Sequence, residues 1–237
     1  MLLTISEKER LSPTLLRVVL RGQKPLPSFR PGQFITVDFR DEEGSFRRSY
    51  SIGNPPGGDH WEFYIALVDG GRGSRQLLAL EPGAAVRAQP PAGIFTLRPP
   101  IKQRMVAVAT STGVVPYRAM QPQMEALLNK GKSISLLYGV RTSENLLFEE
   151  EWYDLLKRYN HFEFIPCFSR PRSSRECQRY GAIEGRVQVA LKRLPLIGTH
   201  NSYFLCGNPN MVDETESMLI GSGVKPDDIF VEAFESL

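Results

Sequence analysis

The hydrophobic pattern of this chain changes near Arg104, and that change limits its fold more than any single motif. Through the first hundred residues, short apolar runs at 15–20, 34–39, 49–52 and 61–67 are separated by Gly and Pro clusters at 25–27, 31–32, 54–58 and 82–83. Brief strands punctuated in this way suggest an antiparallel barrel or sandwich. One short helix is expected at 73–80 and a linker at 97–102. Beyond Arg104, apolar runs at 105–109, 134–138, 162–167, 202–206 and 229–231 alternate with helix-like stretches such as 120–129, 148–159 and 211–219. That alternation predicts βαβ units on a parallel sheet. Pro122 belongs near the start of its helix, or would kink it. The expected fold is an N-terminal antiparallel β-barrel over residues 1–99, followed by an α/β parallel-sheet nucleotide-binding domain over 100–237.

Composition narrows the functional classes. The 237 residues are 41% hydrophobic and 23% charged, as in ordinary globular proteins, and the net charge of +3 gives no argument for a nucleic-acid partner. No apolar run approaches the ~20 residues that a membrane span needs. The N-terminus lacks the basic and apolar regions of a signal peptide, so a cytoplasmic protein is expected. Cys167, Cys177 and Cys206 are sparse and widely spaced, as are His60, His161 and His200. No metal site is therefore expected, and any handling of electrons would fall to an organic cofactor.

Four stretches carry possible chemistry. Arg48-Ser49-Tyr50-Ser51 ends a β-patterned run, and its alternation puts Arg48 and Tyr50 on one face and Ser49 and Ser51 on the other. An arginine for a phosphate and a phenol beside a ring suit a planar cofactor with a phosphate tail; they also suit the wet face of an ordinary strand. Downstream, Asp69-Gly70-Gly71-Arg72-Gly73-Ser74 precedes the short helix, with Ser74 expected as its N-cap. In the second half, Ala109-Thr110-Ser111-Thr112-Gly113-Val114-Val115-Pro116 follows the first strand, where a dinucleotide would lie, although it is not a GxGxxG turn and would equally serve as a plain strand-to-helix turn. Cys206-Gly207-Asn208-Pro209 ends a later strand and opens a helix. In addition, seven basic residues lie between 170 and 193, opposed only by Glu176 and Glu184. Such a run fits a phosphate site, a solvated loop or a docking face for an acidic protein.

Taken in order, these motifs resemble the ferredoxin–NADP reductase superfamily, most closely its bacterial two-domain ferredoxin/flavodoxin–NADP reductases. The likeness extends from Pro31-Gly32-Gln33-Phe34 to Val231-Glu232-Ala233-Phe234, and includes Gly-x-Phe-x-Leu at Gly93 and Ser-Arg at Ser169-Arg170. The resemblance implies FAD, rather than FMN, in the first domain and NADP(H) in the second. Arg48 would bind the flavin diphosphate with Gly73 and Ser74, Tyr50 would pack on the isoalloxazine, and Ser51 would sit near flavin N5. Thr112, Gly113 and Cys206 would line the nicotinamide site, with Cys206 near the reactive carbon. Glu232 matches the C-terminal glutamate of the family, and Phe234 the aromatic that covers the flavin. Arg141, Ser169, Arg170 and Arg186 would hold the 2′-phosphate that distinguishes NADPH from NADH.

The activity implied is hydride transfer between NADPH and FAD, with single electrons passing to or from ferredoxin or flavodoxin. An NADH-dependent oxygenase reductase or free-flavin reductase shares most of the motifs, and a non-catalytic regulatory module would share the fold. Two departures from the family pattern stand out. Ser111 replaces a glycine usual in the dinucleotide turn, and a Glu235-Ser236-Leu237 tail follows the aromatic.

Overall fold

The structure, a computed structural model, describes residues 1–98 and 100–234. Among the described residues the chain divides into two compact units, one of residues Met1–Leu97 with Val115–Pro122, the other of Arg98–Val114 with residues 123–234. The expected linker includes Pro99, and the tail is Glu235-Ser236-Leu237; these four lie outside the described residues. Within the expected linker, Ile101 is buried, and Lys102 is anchored by its N–H to Ser202 Oγ at 3.1 Å.

The first unit is a six-stranded antiparallel sheet of β1 (Leu2–Ser12), β2 (Leu15–Gly22), β3 (Phe34–Asp41), β4 (Gly44–Ser51), β5 (His60–Ala66) and β6 (Ala85–Ala88), in the order β4-β3-β6-β1-β2-β5. Its two outer strands approach where Gly53 N–H donates to the Glu62 carbonyl at 2.8 Å, so the sheet curls toward a barrel. Alternate residues line its interior: Leu16, Val18 and Leu20 from β2, Ile35, Val37 and Phe39 from β3, and Trp61, Phe63 and Ile65 from β5. Burying one such side chain stabilises the unit by about 1.5–3 kcal/mol. Helix α1 (Arg72–Ala79) adds Leu77 to this core.

The second unit carries a parallel sheet of β7 (Arg104–Thr110), β8 (Ser133–Val140), β9 (Phe162–Phe168), β10 (Ile183–Glu184), β11 (Asn201–Gly207) and β12 (Ile229–Ala233), ordered β10-β9-β8-β7-β11-β12. Between its strands in chain order come α2 (Val115–Ala119), which belongs to the first unit, and α3 (Gln121–Asn129), α4 (Glu149–Arg158), α5 (Ser174–Tyr180), α6 (Val187–Arg193) and α7 (Pro209–Gly221). Val106, Val108 and Leu205 pack with α6 and α7, while Met105, Ala107 and Leu136 alternate with that set and are equally buried. Burial on both faces explains why these strands read as continuous apolar runs. Pro122 is the second residue of α3, where its missing N–H breaks no helical bond. The basic run from 170 to 193 contains two helices, α5 and α6, in addition to loop.

The sheet order reverses direction after β7: β8 lies on one side of it and β11 on the other. Ligands of open parallel sheets bind outside the carboxyl ends of the strands at such a reversal. Among the described residues, no helix is long and apolar enough to cross a membrane.

Candidate functional sites

In the first unit, β4 and the start of α1 converge. An added Cβ on Gly73 would lie 3.1 Å from Arg48 Cγ and 3.3 Å from Tyr50 Oη, so only glycine lets the helix start sit against this face without displacing either side chain. The loop is braced from behind. Arg72 donates from Nε to Asp41 Oδ2 at 2.8 Å and from Nη2 to Asp41 Oδ1 at 2.5 Å, with its guanidinium 4.2 Å from the centre of the Phe46 ring. This bidentate pairing holds the Asp41 carboxyl below its ordinary range.

The N-cap of α1 is Gly71, which corrects the expectation for Ser74. Ser74 lies within the first turn of the helix because Arg72, not Ser74, opens it. Its buried Oγ accepts the Val68 N–H at 2.8 Å and so ties the Gly-rich loop to its own start.

Arg48 has one unusual feature. Its Nη1 donates to the Arg47 carbonyl at 2.7 Å, and its guanidinium lies 5.2 Å from the Phe46 ring, yet its Nε is buried with no acceptor. A buried cationic donor without a partner, beside a glycine-lined helix start, fits the diphosphate of a flavin dinucleotide. Tyr50 is largely buried, which pushes its phenol well above the ordinary value and keeps it neutral. Ser51 ends β4, paired in register with Phe34, and Ser49 bonds Thr36 Oγ1 at 3.0 Å across the strands.

Beyond Ser51 lies an ionic network that no sequence motif marks. The Glu62 carboxylate, 10% exposed, accepts from Arg17 Nη2 at 2.5 Å and from Arg118 Nη1 at 2.6 Å. Burial by itself would raise the Glu62 carboxyl; the two guanidiniums outweigh it and hold the group below its ordinary value. Arg118 comes from α2, so the segment after the Thr-Gly-Val-x-Pro turn is part of this unit. Nothing in the local pattern of Glu62 signals this, because its partners are 45 and 56 residues away.

In the second unit, the carboxyl ends of β7 and β11 form one candidate site. Thr112 and Gly113 lie in a 3-10 turn, Ser111–Val114, directly after β7. A Cβ on Gly113 would stand 2.2 Å from the Cys206 carbonyl oxygen, so this turn packs backbone to backbone against the end of β11. Thr110 Oγ1 accepts the Asn208 N–H at 3.0 Å and closes the same junction. Ser111 has φ +52°, in the left-handed region that glycine adopts freely. The departure at Ser111 thus leaves the glycine-type backbone in place with a side chain added.

Cys206 is wholly buried, and burial, assisted by the Glu232 carboxylate, pushes its thiol well above its ordinary value. It is therefore a thiol at neutral pH, suited to packing and not to nucleophilic attack. Glu232 is its register partner on β12, and Phe234 N–H donates to the Gly207 carbonyl at 2.8 Å. Thr112, Gly113, Cys206, Glu232 and Phe234 thus gather at the ends of three neighbouring strands.

Arg141, Ser169, Arg170 and Arg186 form a separate group, just past the ends of β8, β9 and β10. Arg170 N–H donates to the Arg141 carbonyl at 2.9 Å, and Ser169 Oγ to the Val140 carbonyl at 3.3 Å. The three arginines are exposed, and among the described residues none makes a salt bridge. By contrast, Arg172 in the same run pairs with Glu144 at 2.5 Å.

Comparison with known proteins finds one family for each half of the chain. Residues 2–97 match the oxidoreductase FAD-binding domain family, and residues 107–217 the oxidoreductase NAD-binding domain family. The chain is 30% identical over 213 residues to ferredoxin–NADP reductase B of Sorangium cellulosum, covering 87% of this chain and 86% of that protein. It is also 30% identical to the propane 2-monooxygenase reductase component of Mycolicibacterium goodii, over 88% of this chain but only 60% of the relative. A ferredoxin NADP+ reductase from Neisseria gonorrhoeae, solved with bound FAD and NADP, superposes with a TM-score of 0.78 at 20% identity, covering 98% of both chains. The buried Arg48 donor, the glycine-lined helix start and the strand-end turn at the sheet reversal are thus parts of a flavin- and NAD(P)-binding oxidoreductase, and the chain belongs to the ferredoxin–NADP reductase superfamily.

Proposed function

We propose that the protein is an FAD-dependent NADPH reductase that exchanges single electrons with ferredoxin or flavodoxin. The observation that carries the coenzyme choice is the group of three exposed arginines, Arg141, Arg170 and Arg186, with no carboxylate partner among the described residues. A phosphomonoester is close to a dianion at neutral pH, and each charge-assisted contact to it contributes about 1.5–3 kcal/mol. NADH lacks that group, so the same arginines add little to its binding.

The bound flavin and nicotinamide supply the hydride chemistry and the conversion between hydride and single electrons. The protein's part is to bind and orient them. Arg48, Gly73 and Ser74 are assigned to the flavin diphosphate, and Tyr50 to the face of the ring. Thr112 and Gly113 are assigned to the nicotinamide end of the coenzyme. Ser51, Cys206, Glu232 and Phe234 are assigned to the reacting atoms on the strength of the ordered motifs. Ser51 can donate a hydrogen bond at neutral pH without ionising. Cys206, as a neutral thiol, offers shape and polarisability without charge.

A second reading, an NADH-dependent oxygenase reductase component, is favoured by the equal 30% identity to the propane monooxygenase reductase. Anaerobic titration of the purified flavoprotein with NADPH and then NADH, followed by visible absorbance, separates the two. Faster bleaching and a higher kcat/KM with NADPH, with Arg170→Ala chiefly raising the KM for NADPH, are expected. Equal use of both coenzymes by the parent and by Arg170→Ala would remove the 2′-phosphate assignment. Reduction of ferredoxin or flavodoxin with a marked salt dependence is the expected acceptor result. Turnover only with an oxygenase partner would favour the second reading.

A further inference from the structure

The arginines assigned to the 2′-phosphate stand on two loops, and one carboxylate joins those loops. Arg141 follows β8 and leads into the short 3-10 turn Ser143–Asn145. Arg170 follows β9 and leads into α5. Glu176, in the first turn of α5, accepts the Ser143 N–H on Oε1 at 2.7 Å and the Arg172 N–H on Oε2 at 2.6 Å. Its own N–H donates to Ser173, the N-cap residue. Each carboxylate oxygen thus holds the backbone of a different loop.

Other bridges cross the same gap. At the strand ends Ser169 N–H donates to the Val140 carbonyl and Arg170 N–H to the Arg141 carbonyl, and farther out lies the Arg172–Glu144 ion pair. The ion pair is 66% and 61% exposed and contributes little to fixing the loops. The two bonds to Glu176 are charge-assisted, short and directed at backbone, which fixes loop position more tightly than contact between flexible side chains. Glu176 makes no salt bridge among the described residues, so its oxygens are occupied by backbone N–H groups without pairing to Arg141, Arg170 or Arg186.

We propose that Glu176 is a positioning residue for coenzyme specificity. With both oxygens on the Ser143 and Arg172 N–H groups, it holds the loops of Arg141 and Arg170 at one separation and leaves their guanidiniums available to a phosphomonoester dianion. Two long side chains presented from pre-positioned loops lose less freedom on binding than two from independent loops. The inference rests on the coenzyme reading above. A purely structural role, a first-turn acid facing the helix dipole, would affect helix stability without any preference between ligands.

The test uses the full-length, flavin-loaded protein and calorimetric binding of 2′,5′-ADP and of 5′-AMP, which differ by the 2′-phosphate. The variants are Glu176→Ala, Glu176→Gln and Arg170→Ala. For Arg170→Ala and Glu176→Ala, the ratio of the two affinities is expected to fall about tenfold or more, the loss that corresponds to one charge-assisted contact. Glu176→Gln, whose amide oxygen still accepts one of the two N–H groups, should fall between parent and Glu176→Ala. Should Arg170→Ala lower the ratio while both Glu176 variants keep the parent value, the clamp is wrong and the coenzyme reading stands. If the ratio is unchanged in all three, both are wrong. A lower thermal midpoint in Glu176→Ala with an unchanged ratio also overturns the proposal. Should the alanine variant fail to fold, an unchanged ratio in Glu176→Gln overturns it equally.

Discussion

Replacing Arg48 with methionine should move flavin affinity and the stability of the flavin-free chain in opposite directions. Methionine keeps an unbranched stem against Gly73, where the arginine stem now packs, and a polarisable sulfur that can face the Phe46 ring in place of the guanidinium. It removes a buried Nε that has no acceptor and an Nη1 that bonds the Arg47 carbonyl. An unsatisfied buried donor costs about 1–3 kcal/mol, and one ordinary hydrogen bond returns about 1 kcal/mol. The flavin-free variant is therefore expected to be as stable as the parent or more stable by about 1 kcal/mol, since the two terms differ by roughly that amount. FAD binding loses at least one charge-assisted bond to the diphosphate, about 1.5–3 kcal/mol, or about 10- to 150-fold in Kd. Deflavinated protein would be titrated with FAD by quenching of flavin fluorescence, and its thermal midpoint followed with and without FAD. Because ligand stabilisation follows the logarithm of the ratio of ligand concentration to Kd, the FAD-induced rise in midpoint should shrink in the variant. An FAD affinity within twofold of the parent would refute the assignment of Arg48 to the diphosphate. A clear fall in the flavin-free midpoint would refute the view that its Nε is a destabilising orphan.

Glu62→Ala should destabilise the protein by about 3 kcal/mol in urea denaturation, because it leaves two half-buried guanidiniums without this carboxylate; a loss below about 1 kcal/mol would contradict the network's role. The same group should shape acid stability. Since its folded value lies below that of the unfolded carboxyl, its contribution is complete above about pH 4.3 and is lost as the pH falls through the folded value, so Glu62→Ala should show a shallower acid limb than the parent. Ser111→Gly should stabilise by about 0.5–1 kcal/mol, the left-handed penalty less the entropy that glycine adds to the unfolded chain; a destabilised variant would show that the serine side chain, not its backbone, holds the turn.

Much of the fold is legible in the sequence because burial leaves a periodic trace. β3 alternates apolar and polar residues, β2 and β5 are short apolar-rich runs between turns, and β7 and β11 carry continuous apolar cores because both faces of their sheet are covered. β1 and β6 carry no such signal. Residues 7–10 of β1 are Glu, Lys, Glu and Arg on a largely solvated strand, and β6 is four residues with one charged. α5 and α6 are hidden in the basic run for a related reason: their charged residues face solvent and outweigh a few buried ones, Cys177, Val187, Ala190 and Leu191. The sequence places the short helix α1 to within a residue at each end, but it puts the cap on the wrong side of Arg72 because the brace to Asp41 is a tertiary contact.

The sequence by itself determined the class of protein. Ordered motifs in a β half and an α/β half carry the likeness to flavin- and NAD(P)-binding oxidoreductases, because each motif is a short run of neighbouring residues that can be read locally. Only the tertiary structure decided what those residues do to one another. It joined Glu62 to arginines 45 and 56 positions away, left Arg48 Nε buried without an acceptor, and placed the segment Val115–Pro122 in the same unit as the β-sheet. It also set Glu176 across two loops whose contacting residues are 33 positions apart. Charge pairing and desolvation act through space over a few ångströms, and their strength depends on what surrounds each group; neither quantity is written in the local order of residues.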